Sequence, residues 1–158
     1  VDRLPPERAA VVRERFARAV ERLEAAGLAG PLRDPAARGG RPLREIGLEY
    51  FAQNVECPFL EEGSCSIHPE RPLACREYLV TSPAAHCANP TPETVRTVPM
   101  PARVSNGFIQ ISAPGETVAS GFVALPLALE WAAAHPEPPA RRPGPDMLKE
   151  MVESLTKS

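Results

Sequence analysis

The chain has 158 residues, enough for one domain that buries roughly 70% of the surface its unfolded form would expose, so neither a disulfide nor a metal is required for stability. A formal charge of −2 gives no electrostatic case for nucleic acid or an anionic membrane surface, and no apolar run approaches the roughly 20 residues of a spanning helix. The 20 prolines, well above average usage of about 5%, exclude long regular elements through most of the chain, because each fixes φ and removes an amide donor.

Pro5, Pro6 and Glu7 suit the first turn of a helix over residues 8–26, where the helix dipole favours an acid. Val12, Phe16, Val20 and Leu23 recur at helical spacing and form one apolar stripe, and Gly27 is a stop signal. The arginines and glutamates on the other faces, mixed in sign, read as a solvated surface. Val1 to Pro6 lacks the basic start and apolar core of a secretory leader. Residues 28–42 hold Gly30, Pro31, Pro35, Gly39, Gly40 and Pro42 and are expected to be a loop. Residues 43–53 carry Leu43, Ile46, Leu48, Tyr50 and Phe51 as a short strand or helix leading into the cysteine region.

All four cysteines fall within residues 57–87, spaced Cys57-x7-Cys65-x9-Cys75-x11-Cys87. Buried structural cysteines behave as small hydrophobes and have no reason to cluster, so the clustering points to a shared role in metal binding, disulfide formation or redox chemistry. No C-x-x-C pair supports a zinc ribbon or a thioredoxin-like site. Glu61-Glu62-Gly63-Ser64 allows the chain to reverse between Cys57 and Cys65, and residues 73–78 fit one helical turn carrying Cys75. Proline-stiffened loops lower the entropy lost when four thiolates are gathered into a tetrahedral zinc site or an iron–sulfur cluster. Arg71 and Arg76 flank the site. Their two candidate roles are N–H to sulfur hydrogen bonds and ion pairs with Glu70 or Glu77.

Residues 94–112 offer two β-type stretches, residues 95–98 and 108–111, separated by Pro99, Pro101 and the Asn106-Gly107 turn signal. Pro126 opens a further helix through Leu127, Leu129 and Trp131 to His135, which Pro136 ends. Residues 136–145 are a proline-rich linker. Residues 146–158 form a C-terminal amphipathic helix with Met147, Leu148, Met151 and Leu155 at helical spacing, a face expected to pack against the domain, with docking to a partner as the alternative. The expected fold is mainly α with irregular, proline-rich loops and little β: a single small cysteine-cluster domain over residues 1–135, followed by linker and helix.

Cys57-Pro58-Phe59-Leu60, then Cys65-Ser66-Ile67-His68, then Arg71-Pro72-Leu73-Ala74-Cys75-Arg76-Glu77-Tyr78 closely resemble the YkgJ-type cysteine-cluster proteins, zinc- or iron-chelating domains to which the cysteine cluster of flagellin lysine-N-methylase is related. The resemblance implies Cys57, Cys65 and Cys75 as metal ligands, Cys87 as the later family cysteine, and zinc or iron, including an iron–sulfur cluster, as cofactor. The family usually opens with a compact cysteine cluster ahead of its first helix. This chain has no cysteine before Cys57 and begins with Val, which fits an opening cluster ahead of Val1; a chain complete as it stands still allows four thiolates. His68 stands where relatives often carry Tyr, so packing or capping suits it better than ligation. The same holds for His86, and His135 suits a helix C-cap.

The expected function is a structural or metal-handling thiolate site in a reducing cytoplasm, with a metal ion and an unidentified protein as partners. The alternatives are a metal-dependent enzyme, such as a protein-methyltransferase-related activity, and a disulfide-stapled domain in an oxidising compartment. The sequence has no Gly-rich cofactor loop, nucleophile elbow or H-E-x-x-H to favour the enzyme.

Overall fold

A computed structural model of the chain describes residues 1–83, 86, 91, 93–112, 122–136 and 142–156. With 58% helix against 5% strand, the chain is mainly α with little β. Helix α1, Pro6–Ala25, has Pro6 and Glu7 in its first turn, and it stops where Gly27 takes φ +70°, open to a residue without a Cβ. Its buried face is Val12, Phe16, Ala19 and Leu23, the expected stripe with Val20 turned to its edge.

The turn at Gly27 sends the chain straight into a second short helix, a departure from the expected loop over residues 28–42. Helix α2, Ala29–Arg33, exists because Leu28, Ala29 and Leu32 are apolar enough to pack back on α1, and Pro31 falls in a first turn where its missing amide costs nothing. A 3-10 turn, Pro35–Arg38, follows; the Asp34 carboxylate caps it by accepting the Ala36 amide at 2.8 Å. Helix α3, Leu43–Ala52, settles the ambiguous 43–53 segment as helix and buries Ile46 completely.

Strands β1, Leu60–Glu61, and β2, Ser64–Cys65, form a two-residue hairpin, with Leu60 opposite Cys65 and Glu61 opposite Ser64. Glu62 at φ 48° and Gly63 at φ 75° make the two-residue turn whose twist matches the strands. After a 3-10 turn at His68–Glu70, helix α4, Leu73–Arg76, is the expected single turn carrying Cys75.

The larger correction falls on residues 94–112. Among the described residues the first β-type stretch pairs through a single antiparallel bridge, Val80 with Thr97. The second is no strand at all: Val104–Ser112 is helix α5, with Asn106 and Gly107 inside it. A local turn signal loses here to packing, because α5 lies along the C-terminal helix. The helix expected to open at Pro126 begins later: Pro126 lies inside a 3-10 turn, Leu125–Leu127, which leads into α6, Ala128–Ala134. The last helix, α7, Gly144–Thr156, starts two residues earlier than expected, since Pro145 fits a first turn rather than a linker. Linker residues 137–141 and terminal residues 157–158 lie outside the described residues.

Two apolar clusters share α1. Its C-terminal half packs Leu23 against Leu28, Ala29, Leu32, Ile46, Ala124 and Leu127. Its N-terminal half packs Val12 and Phe16 against Phe59, with Ile67, Leu125 and Leu129 at the margin. The second cluster therefore draws in the cysteine segment, and it does so through the residue two places after Cys57.

Candidate metal centre

The first thiol is fixed by its neighbours rather than by its own burial. Pro58 is fully buried, and Phe59 meets Phe16 edge to face at 5.5 Å, so the turn is clamped on α1. The Leu60 amide donates to the Cys57 carbonyl at 2.9 Å and closes the turn. Arg15 of α1 reaches across, donating from one nitrogen to the carbonyls of Pro58 and Leu60, both at 3.3 Å. Arg8 holds the Glu61 carboxylate at 3.2 Å, and Arg15 approaches it to 3.5 Å. Neither arginine stands out in the sequence. Their signal is a spacing of seven on one helix face.

Cys57, Cys65 and Cys75 are free thiols. Burial pushes the Cys57 thiol above its ordinary pKa, amide donors from Phe59 and Leu60 work in the opposite direction, and the charges of Cys65 and Cys75 raise it again. Burial likewise pushes up Cys75, Cys65 adds to the shift, and the Arg71 guanidinium opposes it. Three cysteines from three separate turns are thus within electrostatic reach of one another. Tyr50 of α3 faces the same group: burial raises its phenol first, and the Cys57 charge raises it further.

Cys87, the fourth candidate ligand, lies outside the described residues. Among the described residues no three His, Cys, Asp or Glu side chains stand at metal-holding spacing. The chemistry of the donor set nevertheless suits a thiophilic cation. The thiols are soft, the Cys65 charge disfavours ionisation of both Cys57 and Cys75, and N–H donors and a guanidinium are placed beside them.

Of the two roles expected for the flanking arginines, Arg71 comes nearer the first, through its charge beside Cys75, and the ion pairs with Glu70 or Glu77 are not formed among the described residues. Arg71 stands close enough to Cys75 to favour its thiolate, and its Nε donates to the His68 carbonyl at 3.3 Å. Arg76 donates from Nε to the Arg71 carbonyl at 2.9 Å and from a terminal nitrogen to the Pro69 carbonyl, tying α4 to the turn before it. Glu77 is instead buried and accepts from the backbone and hydroxyl of Ser105, an anchor between the cysteine motif and α5 that no local sequence signal announces.

His68 is exposed at the start of its 3-10 turn, and the Nδ1 of His86 lies 2.9 Å from the Thr94 carbonyl. The Nδ1 of His135 lies 2.8 Å from the Trp131 carbonyl at the end of α6, with the two rings stacked at 4.4 Å, which is the expected cap.

Fold and site together define a small helical chain with a cysteine-bearing hairpin and turn strapped onto its first helix. Comparison with protein-family models, curated proteins and solved structures finds no match to the chain. Among the described residues no helix is long and apolar enough to cross a membrane.

Proposed function

We propose that the chain is a cysteine-cluster domain of the YkgJ type, holding zinc or iron, including an iron–sulfur cluster, in a structural or metal-handling role. What supports this reading is that Cys57, Cys65 and Cys75 are free thiols, presented by a turn, a hairpin strand and a one-turn helix, with the Cys65 charge acting on both of the others. A cation would relieve the repulsion that three neighbouring thiolates create. Cys87 would supply the fourth sulfur. The amides of Phe59 and Leu60 would donate to the Cys57 sulfur, and Arg71 would offset charge at Cys75. A closed thiolate site has no open position for substrate, so the metal would order the loops or be stored and passed on rather than catalyse. Thiolates of this kind persist in a reducing compartment, for which we propose the cytoplasm.

Elemental analysis of the purified chain, beside thiol titration with and without denaturant, tests the reading. Stoichiometric zinc or iron, with thiols that become reactive only on denaturation or chelation, is the expected result. A metal-free protein whose four thiols react freely in the native state would sink it, and a count of two or fewer titratable thiols after denaturation would favour disulfides.

A further inference from the structure

One face of α1 does more than hold the cysteine turn. Arg15, Arg18 and Arg22 line up at helical spacing, and they form one wall of a cleft of about 380 Å³ whose opposite side is residues 54–58. In a chain of net charge −2, three guanidinium groups around one recess is a local reversal of sign. Glu56 is the single carboxylate among the lining residues.

We propose that this cleft binds a small doubly charged oxyanion such as a phosphoryl group. Arg15 is held in place by its bonds to the Pro58 and Leu60 carbonyls, both through the one nitrogen that also approaches Glu61 to 3.5 Å, so its other N–H donors are preorganised while its charge is partly offset. Among the described residues Arg18 is engaged by Glu14 alone, at 4.0 Å, with both side chains about two-thirds exposed, a contact too weak to compete with a bound dianion. Arg22 has no ion-pair partner among the described residues. The Asn54 side chain adds a neutral polar group at the rim, on a backbone at φ 51° that asparagine tolerates. Guanidinium donors match oxyanions in pairs, and a recess of this size admits a phosphoryl-bearing small molecule but not a folded partner. Cys57 lines the same cleft, so the anion would sit beside the first thiol, yet its binding does not depend on a metal being held there.

The test is titration of the full chain with inorganic phosphate, followed by amide NMR shifts, against sodium chloride at matched ionic strength. Saturable shifts confined to residues 15–22 and 54–58 are expected. Arg18→Gln/Arg22→Gln should weaken binding about tenfold or more, whereas Arg13→Gln, on another face of α1 and paired with Asp2, should leave it unchanged. Far-ultraviolet circular dichroism checks that each variant keeps its helices. No change beyond the chloride control would overturn the site, as would a double variant that binds like the parent, or an equal loss in Arg13→Gln. Metal content of the same preparations is read separately, so failure here leaves the thiolate reading standing.

Discussion

The buried carboxylate of Glu77 accepts the backbone N–H of Ser105 at 3.2 and 3.3 Å and its hydroxyl as well, joining the end of the cysteine motif to the first turn of α5. That turn has amides with no partner inside the helix, and a carboxylate both satisfies one of them and meets the positive end of the helix dipole. The contact spans 28 residues of sequence and lies two residues from Cys75.

Replacing Glu77 by Ala should therefore cost about 1–3 kcal/mol, since it leaves the part-buried amide and hydroxyl of Ser105 unpaired. Denaturant unfolding would show a lower midpoint with little change in slope. Glu70→Ala, on an exposed neighbour, should shift the midpoint by less than about 0.5 kcal/mol. Equal effects at the two positions would contradict a specific anchoring role.

Gly107 makes the second test. A Cβ there would lie 2.8 Å from Met151 Cγ and 3.3 Å from Leu155 Cγ, so α5 and α7 approach closely only because the side chain is absent. Gly to Ala inside an exposed helix usually gains about 1 kcal/mol. Here overpacking of about 1–3 kcal/mol should outweigh that gain and make Gly107→Ala destabilising. Met151→Ala in the same chain should restore part of the loss, a coupling that thermal unfolding of the single and double variants would resolve.

The neighbouring thiols predict opposite pH behaviour with and without metal. Cys57 and Cys75 have thiol pKa values raised in the folded chain, so the folded state holds their protons more tightly than the unfolded state does. Stability of the metal-free chain should then be full below the ordinary thiol pKa and fall as pH rises through the raised folded values. Metal bound by thiolates reverses this, because protons compete with it and acid should expel it. Unfolding midpoints across pH 6–10, before and after chelation, would show the two trends diverging; parallel curves would argue against thiolate ligation (the pH range is roughly that over which ordinary thiols titrate). Cys75→Ser should lower metal content in the same assay.

Arg33 ties three helices together. It makes a two-pronged contact with Glu130 of α6 at 2.6 and 2.9 Å and also holds Glu24 of α1 at 3.0 Å. The hydrogen bonds from Arg33 hold the Glu130 carboxyl below its usual range. Its contribution is thus present above the ordinary carboxylate pKa and fades as pH falls through the depressed value. The groups are more than a third exposed, so Arg33→Gln should cost only about 1 kcal/mol, less in high salt, as unfolding at two ionic strengths would reveal.

Removal of metal should leave α1 helical. Its C-terminal half is packed on α2, α3, Ala124 and Leu127, with Val55 and Tyr50 at the edge toward the cysteine turns. Circular dichroism after chelation is expected to keep most of the helical signal, with loss confined to the region of Phe59 and Ile67. Complete loss would mean that the metal organises the whole chain.

Much of this molecule is written in short-range signals. The stripe of α1, its proline start and Gly27 stop, the reversal at Glu62-Gly63, the single turn around Cys75 and the turn at Pro126 that leads into α6 depend on φ limits and a 3.6-residue period. These act within a few residues, so the chain order is enough to read them, as is the clustering of four cysteines between positions 57 and 87. Other features needed the folded chain. Phe108-Ile109-Gln110-Ile111 has the composition of a strand, and Asn106-Gly107 that of a turn, yet the apolar side chains of Met151 and Leu155 offer a helix a better-buried surface. The short α2 forms for the same reason, under cover from α1. Whether Arg15 solvates itself or reaches the carbonyls of Pro58 and Leu60, and whether Glu77 pairs with a nearby arginine or crosses to Ser105, is decided by which backbone groups are left without partners after packing. That competition joins residues far apart in the chain, and only the tertiary arrangement brings them within range.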